Sequence, residues 1–336
     1  MLAVPNLICP ACRTVLTTRG GANFSCARCA RDFSEVAGLA DLRLHSDRYL
    51  SMAAERVKAE RLHAVAAEPG ADLARVANAY YEQTDDVADH RRVRFLRHIN
   101  SAEARGHALA SLLPQSGLIL EVGCGTGGLL VAAARSGRSI VGVDIASRWL
   151  VVARRRLADQ DLQVPLVVAG TENLPWSDDS FEVVIADSLL EHLDDPSNAF
   201  REWSRVLRPG GSLLVWSPNR FSLTTDPHLG LWGLGWLPRS RLAGYLQLRR
   251  RTDWPPRTLS PWDARRLALS SGLERVSVAV PRIPQAWAQT RSHRERIAIR
   301  TYAAMRALPV ARNVLRSISP LWELRAEVPT SERGAA

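Results

Sequence analysis

Five short apolar runs, separated by segments of helical pattern, occupy the centre of this 336-residue chain. They cover residues 118–122, 140–143, 164–169, 183–186 and 213–216. Strands that are apolar on both faces and alternate with helices are typical of a parallel sheet covered by helices on both sides. The pattern therefore predicts an α/β fold around a buried sheet.

Helical patterns precede this central region. Residues 47–67 and 72–113 carry apolar side chains at helical spacing, and Pro69 and Pro114 interrupt or end these stretches. We expect seven side chains of the second stretch to be buried, namely Val76, Tyr80, Phe95, Leu96, Ile99, Leu109 and Leu112.

The last third of the chain has a mixed pattern. Residues 220–259 are rich in Trp, Arg, Gly and Pro and predict no regular element. Ser260 is a suitable N-cap for a helix with Pro261 at its first position, and Gly272 would end that helix. We then expect a strand, a basic helix and a final strand over residues 273–280, 286–307 and 321–328.

The first apolar run leads into a glycine-rich turn at residues 121–128. Glycine has no Cβ, so such a turn lets the backbone approach a small ligand closely. Gly123, Gly125 and Gly128 satisfy the G-x-G-x-x-G dinucleotide fingerprint, and Asp144 ends the next strand, where an acid can bind ribose hydroxyls. These features alone fit two classes of cofactor: a dinucleotide, and a nucleoside cofactor that carries an amino-acid moiety.

Later motifs distinguish the two classes. Glu121 lies two residues before the first glycine, where it can approach the ammonium of an amino-acid moiety. The same position is unfavourable beside a pyrophosphate, because both groups are negatively charged. TENLPWSDDSFEVV follows the third strand, LLEHL follows the fourth, and RVLRPGG opens the fifth. Together these motifs resemble the class I S-adenosylmethionine (SAM)-dependent methyltransferases, in the subgroup that includes the ubiquinone and menaquinone biosynthesis enzymes. The resemblance is close over residues 115–220 and implies a Rossmann-like seven-stranded methyltransferase sheet with helices on both faces.

The resemblance also implies a set of cofactor-binding residues. They are Glu121, Gly123, Gly125 and Gly127 for the methionine part, Asp144 for both ribose hydroxyls, Ile145, Thr171 and Glu172 for the adenine, and Asp187 with Ser188 near the sulfonium. The family usually has an acid where this chain has Gly170. The backbone of Thr171 or the carboxylate of Glu172 would have to replace that contact.

Methyl transfer from a sulfonium is an in-line displacement, so the protein mainly supplies alignment and, for a hydroxyl acceptor, a base. His192, just past the fourth strand, is the first candidate base, and His228, past the fifth, is the second. The alternative for His192 is that it only caps or packs against the following helix. The alternative for His228 is that it lies in a solvated loop.

Four of the five cysteines form a C-x2-C-x13-C-x2-C pattern: Cys9, Cys12, Cys26 and Cys29. Two close pairs give tetrahedral thiolate coordination, which suits a structural Zn²⁺, whereas two disulfides would need an oxidising compartment. Residues 31–42 resemble the last strand and exit turn of the small zinc ribbons attached to some methyltransferases. The fifth cysteine, Cys124, is expected to be a small loop residue.

These features predict three parts: a zinc ribbon over residues 1–45, a helical linker over 46–113 and a SAM-dependent methyltransferase domain over 114–336, with substrate-side insertions at 220–259 and 284–318. The hydrophobic content of 46% is ample for a globular core. No apolar run approaches the ~20 residues of a membrane span, and no secretion signal pattern is seen. We therefore expect a soluble cytoplasmic protein.

The net charge of +10 is unevenly distributed. Residues 1–219 contain 24 basic and 26 acidic side chains, whereas residues 220–336 contain 20 and 8. A basic face attracts nucleic acid, anionic lipid or a phosphorylated substrate. The apolar stretch 228–238 could be a substrate lid, a membrane-interface patch or ordinary core, and the basic helix 287–308 could cover the site, meet an anionic surface or be solvated.

Three functions remain open from the sequence. The favoured one is methyl transfer to a small or lipid-linked biosynthetic intermediate, at oxygen, with peripheral membrane contact through residues 228–238 and the basic C-terminal helix. The second is RNA methylation, because a ribosomal RNA guanine methyltransferase family also combines a zinc ribbon with this domain. Against it, the chain has Ser217-Pro218-Asn219-Arg220 where a base-clamping Asn-Pro-Pro-aromatic motif would stand. The third is a cofactor-binding partner protein without catalysis.

Overall fold

The computed structural model describes residues 6–82, 84, 89–226, 229–249, 257–289 and 291–330. The strands are β1 (Thr17–Thr18), β2 (Phe24–Ser25), β3 (Asp32–Phe33), β4 (Ala40–Asp41), β5 (Leu118–Val122), β6 (Ser139–Asp144), β7 (Leu166–Val168), β8 (Phe181–Asp187), β9 (Leu207–Pro218), β10 (Glu274–Ala279) and β11 (Leu321–Glu327). The helices are α1 (Met52–Ala66), α2 (Leu73–Glu82), α3 (Asp89–Ala110), α4 (Gly128–Arg135), α5 (Ser147–Ala158), α6 (Pro196–Val206), α7 (Arg239–Leu248), α8 (Pro261–Ser270), α9 (Gln285–Gln289), α10 (His293–Ala307) and α11 (Pro309–Ile318).

An eight-stranded sheet forms the centre of the molecule, in the order β10-β11-β9-β8-β5-β6-β7-β4. The strands from β9 to β4 run parallel, and β10 and β11 pair antiparallel at the other edge. Strands β5 to β11 are the seven strands of the predicted sheet, so the predicted α/β fold class is confirmed. Strand β4, which comes from the cysteine-rich N-terminal segment, adds an eighth strand at the edge.

The sheet is buried on both faces, as its apolar runs predicted. Along β5, Leu120 and Val122 belong to the core on one side and Ile119 belongs to the core on the other. Val141 and Ile140 divide in the same way on β6. Alternate side chains of a strand point to opposite faces, so a strand that is apolar at every position needs cover on both.

The structure corrects some predictions in the helical regions. The basic helix expected over 286–307 is two helices, α9 and α10, because Ser292 caps α10 in a capping box with Glu295. Helix α7, within the stretch 220–259 for which no regular element is predicted, and helix α11 are further differences. Phe95, expected to be buried, is exposed, whereas Val76, Ile99 and Leu109 are buried as expected.

The N-terminal segment packs directly on the central sheet. Strands β1 to β3 form a small antiparallel sheet, and β4 then pairs with β7, placing Ala40 beside Val167. The Ile8 amide donates to the Pro175 carbonyl oxygen at 3.0 Å. These contacts attach the four-cysteine segment to the edge of the sheet and to the loop before β8. Within the described residues, no helix has the length and apolar character needed to cross a membrane.

Candidate functional site

The glycine-rich loop between β5 and α4 has a conformation that requires glycine. Gly123, Gly125 and Gly127 have φ angles of +69°, +50° and +75°, which side chains with a Cβ rarely adopt. A Cβ at Gly123 would also lie 2.8 Å from a methyl of Leu189. The loop therefore holds its backbone close to the carboxyl ends of β5 and β6.

Asp144, the last residue of β6, fixes the middle of this loop. Its Oδ2 accepts a hydrogen bond from the Gly125 amide, and its Oδ1 accepts one from the Ala146 amide, both at 2.8 Å. Burial raises the pKa of Asp144, while these two amides and Arg148 act in the opposite direction. A carboxylate has about four lone-pair positions, so both oxygens can accept further bonds from a ligand.

Glu121 is a buried acid at the floor of the site. Its side chain is 5% exposed, and its Oε2 has no hydrogen-bond partner among the described residues. Burial, together with the negative charges of Asp187 and Asp144, raises its pKa well above the ordinary value. An unsatisfied buried acceptor costs about 1–3 kcal/mol, so this carboxylate has an arrangement suited to a cationic ligand rather than to stability.

Asp187, at the end of β8, is held by a residue that the sequence analysis missed. Arg105 of α3 donates from Nε to Asp187 Oδ2 at 2.6 Å and from Nη2 to Ser188 Oγ at 2.9 Å. Its guanidinium also lies over the rings of Trp216 and Trp287, 5.9 and 5.1 Å from their centroids. The carboxylate of Asp187 is therefore already paired with a cation at the end of β8.

The proposed adenine side is formed with help from the N-terminal segment. A Cβ added at Gly170 would lie 3.4 Å from His45 Cε1 and 3.6 Å from Glu172 Oε2. Glu172 therefore places its carboxylate next to the position where the related family has its acid. Burial raises the pKa of Glu172, and His45 opposes that effect.

The two other predicted adenine contacts have structural partners. Thr171 is buried, and its Oγ1 accepts a hydrogen bond from Trp203 Nε1 at 2.7 Å. The Ile145 carbonyl oxygen accepts one from Arg43 Nη1 at 3.2 Å. Both residues are thus held in place by hydrogen bonds from distant parts of the chain.

His192 lies in a 3₁₀ turn over Leu190–His192, after β8. Its Nδ1 is 2.7 Å from the Tyr49 hydroxyl oxygen. Tyr49 precedes α1, and no local sequence pattern indicates this pairing. The second candidate base, His228, lies outside the described residues.

The four predicted zinc-binding cysteines come together. Their Sγ atoms all lie within 4.8 Å of one another, with Cys9 and Cys29 at 3.6 Å and Cys12 and Cys26 at 3.3 Å. Cys124, by contrast, is buried in the glycine loop.

The central region is similar to a known protein family. Residues 120–215 match the methyltransferase domain family. A demethylmenaquinone methyltransferase of Clavibacter sepedonicus is 39% identical over 97 residues, which are 29% of this chain and 39% of that protein. A ubiquinone biosynthesis O-methyltransferase of Idiomarina loihiensis is 29% identical over 161 residues, which are 48% of this chain and 63% of that protein. The chain thus spans less than two thirds of either relative.

The solved structures that are similar to this chain include a possible histamine N-methyltransferase of Thermotoga maritima. The TM-score is 0.44 and the identity is 22%, and the match covers 76% of this chain and 97% of that chain. The family match covers Asp144, Asp187, His192 and the glycine loop. The family match confirms the methyltransferase domain that the sequence predicts, over residues 120–215.

Proposed function

We propose that this chain, with its class I methyltransferase domain, transfers a methyl group from SAM to an oxygen of a small or lipid-linked biosynthetic intermediate. The observation that carries the choice of cofactor is that three acidic residues, Glu121, Asp144 and Asp187, lie at the carboxyl ends of the adjacent strands β5, β6 and β8, where Asp144 also binds the Gly125 amide. SAM brings a sulfonium and an ammonium to such a site, whereas a dinucleotide brings an anionic pyrophosphate. Acidic surroundings favour the cationic ligand.

The described residues fit this cofactor part by part. Glu121 Oε2 would accept a hydrogen bond from the ammonium, and Asp144 would accept bonds from the ribose hydroxyls while keeping its two backbone amides. Glu172 would accept a hydrogen bond from the adenine amino group, because this chain has Gly170 where the related family has an acid. The cofactor supplies an already activated methyl group, so these contacts serve to align it with the acceptor.

A hydroxyl acceptor must lose a proton during transfer, and His192 is the base we propose. If the Tyr49 hydroxyl oxygen accepts the Nδ1 proton, the lone pair of the neutral ring is on Nε2, the atom that would take the proton of the acceptor. Tyr49 is then a positioning residue. His228 remains a second proposed base.

Oxygen as the acceptor atom is supported by the name of the Idiomarina relative, a ubiquinone biosynthesis O-methyltransferase. The RNA alternative is not favoured. Asn219, which would be nearest to a base-clamping asparagine, is 3% exposed. Its side-chain amide donates to the Ser317 carbonyl oxygen, and its Oδ1 accepts from the Phe221 amide, so neither end of its amide is turned to a ligand.

For the N-terminal segment, the proposal includes a structural Zn²⁺ bound by Cys9, Cys12, Cys26 and Cys29. Tetrahedral coordination with Zn–S bonds of about 2.3 Å separates the sulfurs by roughly 3.8 Å, and the four Sγ atoms lie within 4.8 Å of one another. Four protein ligands leave no position for a water, so this metal would hold the fold and take no part in methyl transfer.

The cofactor proposal is tested by calorimetric titration with S-adenosylhomocysteine and, separately, with NAD⁺. We expect the first ligand alone to bind, and Asp144→Asn to weaken that binding about 10- to 100-fold, because hydrogen bonds to a charged group contribute about 1.5–3 kcal/mol. Asp161→Asn, the same change at an exposed site, should leave the affinity unaltered. Binding of NAD⁺, or full affinity in Asp144→Asn, would refute the assignment. Acceptors are then screened by methyl incorporation.

A further inference from the structure

Helix α10 is unusual among the helices that the structure describes because it buries none of its 15 residues. Helix α1 has the same length and buries Glu55, Ala59 and Leu62. Most of a helix's stability in a protein comes from packing an apolar face. Helix α10 packs on α9 and α11 and is tied to the strand region by Tyr302, whose hydroxyl donates to the Pro281 carbonyl oxygen at 2.6 Å.

Large apolar side chains are nevertheless present on α10, on α11 and at the junction between them. Val310 is 79% exposed and Leu308 is 60% exposed, and α11 buries only Leu315. The exposed apolar side chains of this helical hairpin are Ile297, Met305, Leu308, Val310 and Val314.

A second group of exposed apolar residues adjoins the end of α11. The Leu223 amide donates to the Ile318 carbonyl oxygen at 3.2 Å. Trp232 Nε1 donates to the Leu223 carbonyl oxygen at 3.0 Å, and Trp236 Nε1 donates to the Ser222 carbonyl oxygen at 3.3 Å. Leu223, Trp232 and Trp236 are all exposed. We call this group, together with the exposed apolar residues of α10 and α11, the apolar surface.

The two helices that carry most of this apolar surface are also rich in arginine. Residues 293–318 contain six arginines and one glutamate, a net charge of +5. Five of these arginines, Arg294, Arg296, Arg300, Arg312 and Arg316, are exposed. Exposed apolar and tryptophan side chains among arginines are the composition of segments that lie in the headgroup region of an anionic bilayer.

We propose that the apolar surface docks this protein on an anionic lipid bilayer, with α10 and α11 lying along the membrane. A second copy of the chain fits less well, because two surfaces of net charge +5 would repel each other. Nucleic acid would use the arginines but would leave Leu308, Val310 and the two exposed tryptophans in water. This docking does not depend on the proposed methyl transfer, so its test measures binding and not turnover.

The location also suits a lipid-linked acceptor. Leu223 lies five residues after the end of β9, at the carboxyl edge of the sheet where ligands bind in open α/β folds. An acceptor held in the bilayer would therefore reach the methyl-transfer site from the docked side.

The test is flotation of the full-length chain with vesicles of phosphatidylcholine alone or with 30% phosphatidylglycerol. We expect binding to the second kind only, and weaker binding at high salt. Arg312→Gln combined with Arg316→Gln should weaken binding about 30-fold, because each cation near an anionic surface contributes about 1 kcal/mol. Val310→Ser combined with Val314→Ser should weaken it at least fivefold.

A matched control is Val15→Ser combined with Val57→Ser, the same change at two exposed valines in the N-terminal segment and on α1. It should bind vesicles like the parent, and circular dichroism should show every variant folded. Three results would overturn the proposal. They are no binding to anionic vesicles at low salt, self-association that the serine pair on α11 abolishes, and RNA binding that needs the two arginines but not the two valines.

Discussion

At the scale of single residues, Glu121 combines a cost to the folded protein with a benefit to ligand binding. Its pKa is raised in the folded state by burial and by two neighbouring acids. The folded protein therefore binds the proton of the Glu121 carboxyl group more tightly than the unfolded chain does. Stability is consequently lost as the pH rises from the ordinary glutamate pKa through the raised pKa of the folded state. A bound ammonium would compensate the charge that forms.

We predict that Glu121→Gln loses less stability than the parent between pH 5 and pH 8, because the glutamine never ionises. The same change should weaken binding of S-adenosylhomocysteine at least tenfold, since a charged acceptor for the ammonium is gone. Thermal unfolding across this pH range, with and without the ligand, measures both effects. Glu68→Gln, at an exposed position, is the control. If the stability of Glu121→Gln and of the parent depended on pH in the same way, Glu121 would not be a buried acid with a raised pKa.

His192 and Tyr49 allow a second prediction at the same scale. A general base contributes about 10²–10⁴-fold to a rate, so His192→Ala should lower kcat at least 100-fold with an oxygen acceptor and leave the cofactor Kd unchanged. Tyr49→Phe should keep the fold and the Kd but shift the pH–rate profile, because the hydroxyl that orients Nδ1 is lost. An unchanged kcat in His192→Ala would remove the proposed role and leave His228 as the candidate.

At the scale of elements, the crossing of α3 and α4 places the glycine loop. Gly106 of α3 and Gly128 of α4 lie in backbone contact, and a Cβ at Gly106 would lie 2.3 Å from the Gly128 carbonyl oxygen. A Cβ at Gly128 would lie 2.5 Å from the Ala102 backbone. Helix α3 also contains Arg105, whose side chain binds Asp187. The spacing of these two helices therefore affects both the glycine loop, which leads into α4, and Arg105, which binds Asp187.

We predict that Gly106→Ala destabilises the protein by about 3 kcal/mol or more, because the new methyl must push the two helices apart. The matched control is Gly244→Ala in α7, where an added Cβ meets no atom of the described structure within 4 Å. That change should stabilise by about 0.5–1 kcal/mol, since alanine is the better helix former. Urea unfolding measures both. A Gly106→Ala protein as stable as the parent would show that α3 can move away from α4 at little cost.

The same elements show what could be predicted from the sequence. Strands β5 to β9 were predicted because a strand that is apolar on both faces has few other interpretations, and Glu121 and Asp144 were found because each adjoins a recognisable strand end. Arg105 and Tyr49 lie 82 and 143 residues from their partners. Their roles depend on how helices pack across the chain, and no local pattern encodes that. The capping box of Ser292 was readable from sequence, but the basic pattern continued across it and hid the break between α9 and α10.

At the scale of the whole molecule, the cysteine-rich segment is joined to the methyltransferase domain at its proposed adenine side. Leu42 donates its amide to the Val168 carbonyl oxygen, Arg43 reaches the Ile145 carbonyl oxygen, and His45 lies against Gly170. All three follow directly after β4. The four-cysteine cluster and the proposed cofactor site are therefore connected by one short stretch of chain.

This connection predicts that metal loss weakens cofactor binding as well as stability. The protein should contain about one Zn²⁺ per chain, because four thiolates complete one tetrahedral site. Cys26→Ser should lose the metal, lower the Tm of the main unfolding transition and weaken S-adenosylhomocysteine binding, because metal binding is coupled to folding of the segment that positions Arg43 and His45. Cys124→Ser makes the same change outside the cluster and should keep the zinc, as measured by elemental analysis. If metal-free Cys26→Ser binds the ligand like the parent, then β4 holds Arg43 and His45 in place through its pairing with β7 alone, and the zinc serves only the three-stranded sheet of β1 to β3.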